Sequence, residues 1–160
     1  MFDIETISND VFLMIDQKKA SKFIRADHVV AEFVVIANKQ GARQRFHLRK
    51  TEPVKTNRCP LSDFRAIFAS IFNHLLRYSA GDDDYNITVK KNKLKGHFEV
   101  MITSNDQYPA IIANTPVQIG KVDPGHYLFQ PSFICQSYNG RFSYYFTKDN
   151  RHEILVQLPY

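Results

Sequence analysis

The chain has 160 residues, of which 44% are hydrophobic and 23% charged, with 13 Phe, 8 Tyr and no Trp. This composition is typical of a globular protein and excludes a chain that is disordered, collagen-like or coiled-coil throughout. Lys and Arg number 21 against 16 Asp and Glu, so the protein is basic, with a net charge of +5. The length predicts one globular domain over residues 1–160, because two domains would each be too small for a good core.

The N-terminal segment carries acids where a signal peptide needs bases, and its apolar run Val11–Ile15 is too short to span a membrane. Residues 8–20 are compatible with a helix, but the dense apolar run fits a strand equally well. Neither Cys59 nor Cys135 belongs to a Cys-x-x-Cys pair, which removes the main support for zinc or thioredoxin-like chemistry. We therefore expect a cytoplasmic protein with two reduced core thiols and no membrane partner.

The next segment is predicted to form two strands. Residues 29–36 are apolar and largely β-branched, which favours a buried strand. A turn at Lys39-Gln40-Gly41 leads into a second strand from Arg43 to Thr51.

An amphipathic helix is predicted over about residues 62–80, because apolar side chains recur there every three or four positions. The residues of this apolar stripe are Phe64, Ile67, Phe68, Ile71, Phe72, Leu75 and Leu76. Either Ser62 as an N-cap or the Cys59-Pro60 pair can begin the helix, and Ala80-Gly81 can end it.

The middle of the chain is predicted to form further antiparallel strands. Apolar and polar residues alternate over 85–89 and over 94–102, with a turn at Lys91-Asn92 between the two runs. Shorter strands are predicted at 109–113, 117–122 and 126–130.

The C-terminal segment is predicted to form a three-stranded meander. Asn139-Gly140 lies between two alternating runs, which is a strong hairpin signal and pairs residues 133–137 with 142–146. The turn at 148–150 allows two registers for the last strand. Because a slip of one residue moves every side chain to the other face, burial favours the three-residue loop, which places His152, Ile154, Val156 and Leu158 on the apolar face.

Together these elements predict an α+β fold with a predominantly antiparallel sheet of about eight to ten strands. The helix over 62–80 packs on this sheet, and a second helix is added if residues 8–20 are helical.

The positive charge is concentrated in two segments. Residues 17–58 hold 11 Lys and Arg against three acids, and residues 85–97 hold four Lys and no acid. Side chains alternate along a strand, so each basic strand presents bases on one face and apolar residues on the other. Like charges on one sheet face repel each other, and the simplest way to reduce this repulsion is to bind an anionic partner. The candidate nucleic-acid-binding residues are Arg43, Arg45, His47, Arg49, Lys90, Lys91, Lys93 and Lys95.

This basic surface predicts a non-catalytic protein that contacts the phosphate backbone of DNA or RNA. The alternative is a protein-interaction or inhibitor module, of the kind found in phages and plasmids, whose basic face docks on an acidic protein. A third interpretation is a metal-independent ribonuclease, in which His47, His97 and Lys95 act together if the two basic strands are neighbours.

Known catalytic and nucleotide-binding patterns are missing from the sequence. Neither Gly-x-x-x-x-Gly-Lys-Ser/Thr nor Gly-x-Gly-x-x-Gly occurs, and His-Glu-x-x-His and Gly-x-Ser-x-Gly do not occur either. The acids Asp82, Asp83 and Asp84 follow a helix end and are interpreted as a solvated loop. The sequence therefore predicts no cofactor and no metal, and it favours binding over catalysis.

Overall fold

The computed structural model describes residues 23–40, 44–78, 84–104, 117–118, 128–146 and 152–160. The helices in this part of the chain are α1 (Ala26–Gln40), α2 (Leu61–Tyr78) and α3 (Phe129–Ser137). The strands are β1 (Ile24–Arg25), β2 (Arg45–Thr51), β3 (Lys55–Thr56), β4 (Asp84–Asn92), β5 (His97–Ser104), β6 (Val117–Gln118), β7 (Arg141–Phe146) and β8 (His152–Pro159). Residues 8–20, compatible with either a helix or a strand, and the strand predicted at 109–113 lie outside the described residues.

Six strands form one mixed sheet in the order β2-β4-β5-β8-β7-β6. β2 and β4 are parallel, and every other pair of neighbours in this sheet is antiparallel. The parallel pair requires a crossover, which α2 supplies. The predicted fold class, α+β with a largely antiparallel sheet, is confirmed, although the described residues contain three helices where one was predicted with a second at the N-terminus.

The helices cover one face of this sheet, and the opposite face, called the outer face below, is polar. Tyr85, Ile87 and Val89 of β4 point toward the helices and are fully buried. The ring of Phe46 on β2 meets Phe72 of α2 with centroids 5.1 Å apart. One apolar core therefore fills the space between the helices and the sheet.

Residues 29–36, predicted as a strand, belong to helix α1. Val30, Phe33 and Ala37 are fully buried, whereas Val35 is 53% exposed, which is the spacing of one helix face. The prediction was wrong because β-branched residues favour strands only weakly, and packing against α2 decides the conformation here. At the end of α1 the side-chain amide of Asn38 exchanges two hydrogen bonds, of 2.9 and 2.8 Å, with the backbone of Phe46.

Helix α2 confirms the predicted amphipathic helix, with bounds Leu61–Tyr78. The amide of Phe64 donates to the carbonyl oxygen of Pro60 at 3.0 Å, so the helix begins directly after Pro60 rather than with Ser62 as its N-cap. The fully buried residues of its apolar stripe are Phe64, Ile67, Phe68, Ile71, Phe72 and Leu75.

Helix α3 replaces the first strand of the predicted meander and also takes up residues 129–130, which were predicted as the end of a strand. Ile134 and Cys135 are buried, but Phe133 is 60% exposed, so the strand parity predicted for 133–137 is wrong. Asn139 has a positive φ of 59°, and the amide of Gly140 donates to the carbonyl oxygen of Cys135 at 2.7 Å. These are features of a Schellman motif, which ends a helix with the same Asn-Gly pair that favours a hairpin.

The predicted register of the last strand pair is confirmed. Phe142 lies opposite Val156, and Tyr144 lies opposite Ile154, as the three-residue loop requires. Ile154, Val156 and Leu158 are fully buried. The loop residues 148–150 themselves lie outside the described residues.

The β4–β5 hairpin is present, but its turn is displaced from the predicted Lys91-Asn92. Both of these residues belong to β4, and the turn spans 93–96, where Gly96 has a φ of 67°. The displacement leaves Leu94 fully exposed, although the sequence predicted it to share the apolar face of Phe98. None of the helices described above is long and apolar enough to cross a membrane.

Candidate functional site

The structure divides the predicted nucleic-acid-binding residues into two groups. Arg45, His47 and Arg49 belong to β2 and reach the outer face, as the alternation predicts. The second group, Lys90, Lys91, Lys93 and Lys95, lies at the far end of β4 and in the turn that follows it. Arg43 lies outside the described residues.

Acidic side chains from neighbouring strands lie beside this predicted basic surface. Asp84 is the register partner of Arg45, and its Oδ1 atom is 3.5 Å from Nε2 of His47. Glu99 of β5 lies opposite Lys90. This face therefore also carries carboxylates: Asp84 comes from a strand distant in sequence from β2, and Glu99 comes from the hairpin partner of β4.

The three residues of the ribonuclease interpretation do not come together. β2 and the β4–β5 hairpin are neighbours in the sheet, but His47 lies opposite Asn86 and His97 lies opposite Asn92. Six positions along β4 correspond to about 20 Å. One general acid and one general base cannot act on the same phosphate across this distance.

The strands begin and end along two opposite borders of the sheet, and different helix ends lie near each border. The upper edge is defined by Arg45, Asp84, Ser104 and Phe146, and the lower edge by the β4–β5 turn, Arg141 and Pro159. Helix α2 runs toward the upper edge, and α3 runs in the opposite direction beside it. The C-terminal end of α2 and the N-terminal end of α3 are thus found toward the upper edge.

Polar side chains of α2 form contacts with α3 and with β7. The hydroxyl of Ser70 donates to Oε1 of Gln130 on α3 at 3.2 Å. His74 is buried, and its Nε2 atom lies 3.1 Å from the hydroxyl oxygen of Tyr144 on β7. The two rings are perpendicular, with centroids 5.2 Å apart. Burial raises the pKa of Tyr144, so this hydroxyl stays protonated at neutral pH.

A further hydrogen bond joins the C-terminal end of α3 to α2. The hydroxyl of Tyr138, which follows α3, donates to Oδ2 of Asp63 in the first turn of α2. The hydrogen bond to the carboxylate, together with desolvation, raises the pKa of Tyr138 to about 12.

We expect the Tyr138→Phe variant to unfold with a free energy about 1 kcal/mol lower near pH 8, a value reduced for the partial exposure of this contact. A tyrosine whose pKa is raised on folding stabilises the protein below its ordinary pKa of 10, and this contribution is lost as the pH rises toward 12. The variant should therefore show a shallower loss of stability between pH 9 and pH 11 in urea titrations. Parallel curves for the wild type and the variant over this range would contradict the assignment.

The two cysteines are free and buried, in agreement with the expectation of core thiols. Burial is the main reason that the pKa of Cys59 and the pKa of Cys135 are each raised to about 12. Because the thiolate is the reactive form, neither residue is a nucleophile at neutral pH.

Comparison with known proteins defines the fold. No family model matches the sequence, and no curated protein matches it. Among solved structures, the mycobacterial sensor histidine kinase MprB superposes with a TM-score of 0.63 at 11% identity, covering 86% of this chain and 97% of that chain. The ATP-binding domain of PrrB from Mycobacterium tuberculosis gives 0.64 at 9% identity, covering 86% and 95%. The histidine kinase domain of the Erythrobacter litoralis blue-light-activated kinase gives 0.69 at 10% identity, covering 99% and 76%.

The chain thus has the fold of histidine kinase catalytic and ATP-binding domains. This finding overturns the predicted function: neither a nucleic-acid-binding protein nor an inhibitor module is supported, and the predicted DNA, RNA or acidic protein partners are not supported either. The prediction failed because it relied on segment charges, which say nothing about how β2 and β5 pair with β4.

The residues that join α2 to its neighbours were missed by the sequence analysis. Ser70 and His74 are one helical turn apart within the apolar stripe of α2, and both are buried. Polar residues at such spacing on a buried helix face need partners, and this is the signal that the sequence offered.

Proposed function

We propose that this chain is a nucleotide-binding domain of a signalling protein, built on the histidine kinase catalytic fold. The observation that carries the proposal is the extent of the structural likeness. The superposition with the mycobacterial sensor kinase covers 97% of that chain, which supports a likeness that extends beyond the sheet. The identity of 11% shows the fold alone, and nucleotide binding therefore needs a direct test.

The N-terminus of α3 and the side chain of Arg77, both toward the upper edge, suit the phosphate groups of a nucleotide. The N-terminus of α3 carries partial positive charge, and its N-cap residue Leu128 makes no side-chain capping hydrogen bond to the first amides. Arg77 lies in the last turn of α2 with an exposed side chain. A helix N-terminus and a guanidinium are groups that bind phosphate oxygens.

The described residues form no metal site built from protein ligands alone, and Mg²⁺ bound to a nucleotide needs only one or two carboxylates beside the phosphates. The described residues contain no group of three or more His, Cys, Asp or Glu side chains placed to hold a metal. We therefore propose nucleotide binding as the function and assign no phosphoryl-transfer step to any residue.

A second candidate is a domain that has kept this fold for contacts with other signalling domains and does not bind nucleotide. The observation that favours it is the spacing of the glycines. Gly120 and Gly125 are the closest pair among the six, so no Gly-x-Gly arrangement exists through which backbone amides could cradle phosphates closely. A binding experiment separates the two candidates.

The experiment is isothermal titration calorimetry with ATP and ADP, with and without Mg²⁺, followed by the variant Arg77→Gln. We expect saturable binding, weakened about tenfold by the loss of the charged contact to phosphate. Arg58→Gln is the matched control, because Arg58 is equally exposed but precedes α2, at the opposite end of that helix. Heats that do not saturate at millimolar nucleotide would favour the second candidate.

We further propose that the residues form a single domain and that the protein works in the cytoplasm. The free thiols of Cys59 and Cys135 support a reducing compartment.

A further inference from the structure

The lower edge of the sheet contains a cleft of about 420 Å³ that the proposed nucleotide-binding function does not use. Its walls are the end of the β4–β5 turn, the Schellman turn between α3 and β7, and the last residues of β8. The lining residues with polar or charged side chains are Lys95, His97, Asn139, Arg141 and Gln157.

The cleft is positively charged. Lys95 and Arg141 line it, both are exposed, and no lining residue is an acid. In the part of the chain that the structure describes, neither cation lies within 4 Å of a carboxylate. Two cations on the same concave surface repel each other, and a bound anion removes this repulsion.

Glu99 is the acid nearest to this cleft in the sheet register, and its carboxylate already has other partners. Its Oε1 atom accepts a hydrogen bond from Nε2 of Gln157 at 2.7 Å and lies 3.7 Å from Nε2 of His97. Lys90 faces it from the neighbouring strand. Gln157 lies opposite Glu99 on one side and opposite Arg141 on the other. Arg141 is therefore two strands, or about 10 Å, from Glu99. The carboxylate therefore does not neutralise Arg141 or Lys95.

The size of the cleft limits the ligand. A volume of about 420 Å³ lies at the lower end of the range for small-molecule sites. Direct contacts join the walls of the cleft: the backbone of Gly140 packs closely on Gln157, and the amide of Tyr160 donates to the carbonyl oxygen of Gly96 at 3.3 Å.

We propose that this cleft binds a small anion that carries phosphate or carboxylate groups, with Lys95 and Arg141 as its principal ligands. The side-chain amide of Asn139 adds a neutral hydrogen-bond donor at the rim. The site is separate from the upper edge, so it stands whether or not the protein binds ATP there.

The test is a titration of ¹⁵N-labelled full-length protein, followed by NMR, with inorganic phosphate, citrate and ATP in separate arms at about 20 mM salt, where exposed charges are weakly screened. The amides of Gly96 and Gly140 report on the cleft, and those of α2 and α3 near the upper edge report on the proposed nucleotide site. We expect phosphate or citrate to shift the first pair saturably. If only ATP shifts the amides of Gly96 and Gly140, the anion that the cleft binds is the phosphate group of a nucleotide.

The variants are Lys95→Gln and Arg141→Gln, each expected to weaken binding about tenfold. Lys93→Gln is the matched control, because Lys93 is exposed in the same turn but does not line the cleft. Loss of binding in the first two variants with the control unchanged supports the site. An equal loss in all three shows diffuse attraction to a basic edge and overturns the proposal, as does the absence of saturable shifts with all three anions.

Discussion

The Gly140→Ala variant is expected to unfold with a free energy at least about 3 kcal/mol below that of the wild type. A Cβ atom on Gly140 would lie 2.2 Å from the carbonyl oxygen of Gln157 and 2.9 Å from Cδ2 of Leu158. The first contact is with backbone of the central strand β8, which cannot move without disturbing its pairing with β5 and β7. The methyl group must therefore push the end of α3 away from the sheet.

Urea denaturation followed by circular dichroism measures this change, and the thermal midpoint should fall by about 10 °C for a chain of this size. Gly96→Ala is the matched control. Gly96 has a φ of 67°, but nothing lies within 4 Å of its would-be Cβ. Its substitution should cost only the backbone strain, about 1 kcal/mol. A smaller loss for Gly140→Ala than for Gly96→Ala would show that the turn after α3 is not packed against β8.

The Phe72→Ala variant should lose about 3 to 5 kcal/mol, because truncating a fully buried aromatic residue leaves a cavity. The ring of Phe72 stacks on Phe33 of α1 with centroids 5.9 Å apart and meets Phe46 of β2 edge-on at 5.1 Å. Phe72 of α2 thus packs against both α1 and the sheet within the common apolar core.

The same denaturation experiment on Phe133→Ala provides the control, since Phe133 is 60% exposed and contacts Phe129 of the same helix at a centroid distance of 6.0 Å. Its loss should stay below about 1 kcal/mol. Similar losses for the two variants would place the core elsewhere than between α1, α2 and β2.

The parts of the fold that could be predicted from the sequence are those in which one local pattern has one meaning. The apolar stripe of α2 repeats over more than three turns, and no strand explains that spacing. The pairing of Tyr144 with Ile154 could be predicted because the alternative register would have buried Glu153 and Gln157.

The parts that were mispredicted are those in which the same local signal fits two structures. Asn139-Gly140 supplies a positive φ, which both a hairpin turn and a helix C-terminus need. The Val-rich run in α1 is apolar enough for a buried strand, and only its contact with Phe68 and Phe72 through Phe33 makes the helix the better choice. Such contacts join segments far apart in the chain.

The candidate sites were harder to predict than the fold for a related reason. Segment charges counted the bases of β2 and of β4, but Asp84 lies beside Arg45, and Glu99 beside Lys90, only through strand pairing. The buried contact of His74 with Tyr144 likewise joins residues 70 positions apart. Of the bases that the sequence singled out, Lys95 lines a cleft, and Arg141, which also lines it, comes from the distant strand β7.

The strand order of the sheet also has a consequence during synthesis of the protein. β5 leaves the ribosome well before β8, yet the two lie side by side at the centre of the sheet. Until β8 is made, one full edge of β5 lacks its hydrogen-bonding partner. An unpaired edge of this kind recruits other strands, so a growing chain that stalls between β5 and β8 is expected to depend on chaperones to avoid aggregation.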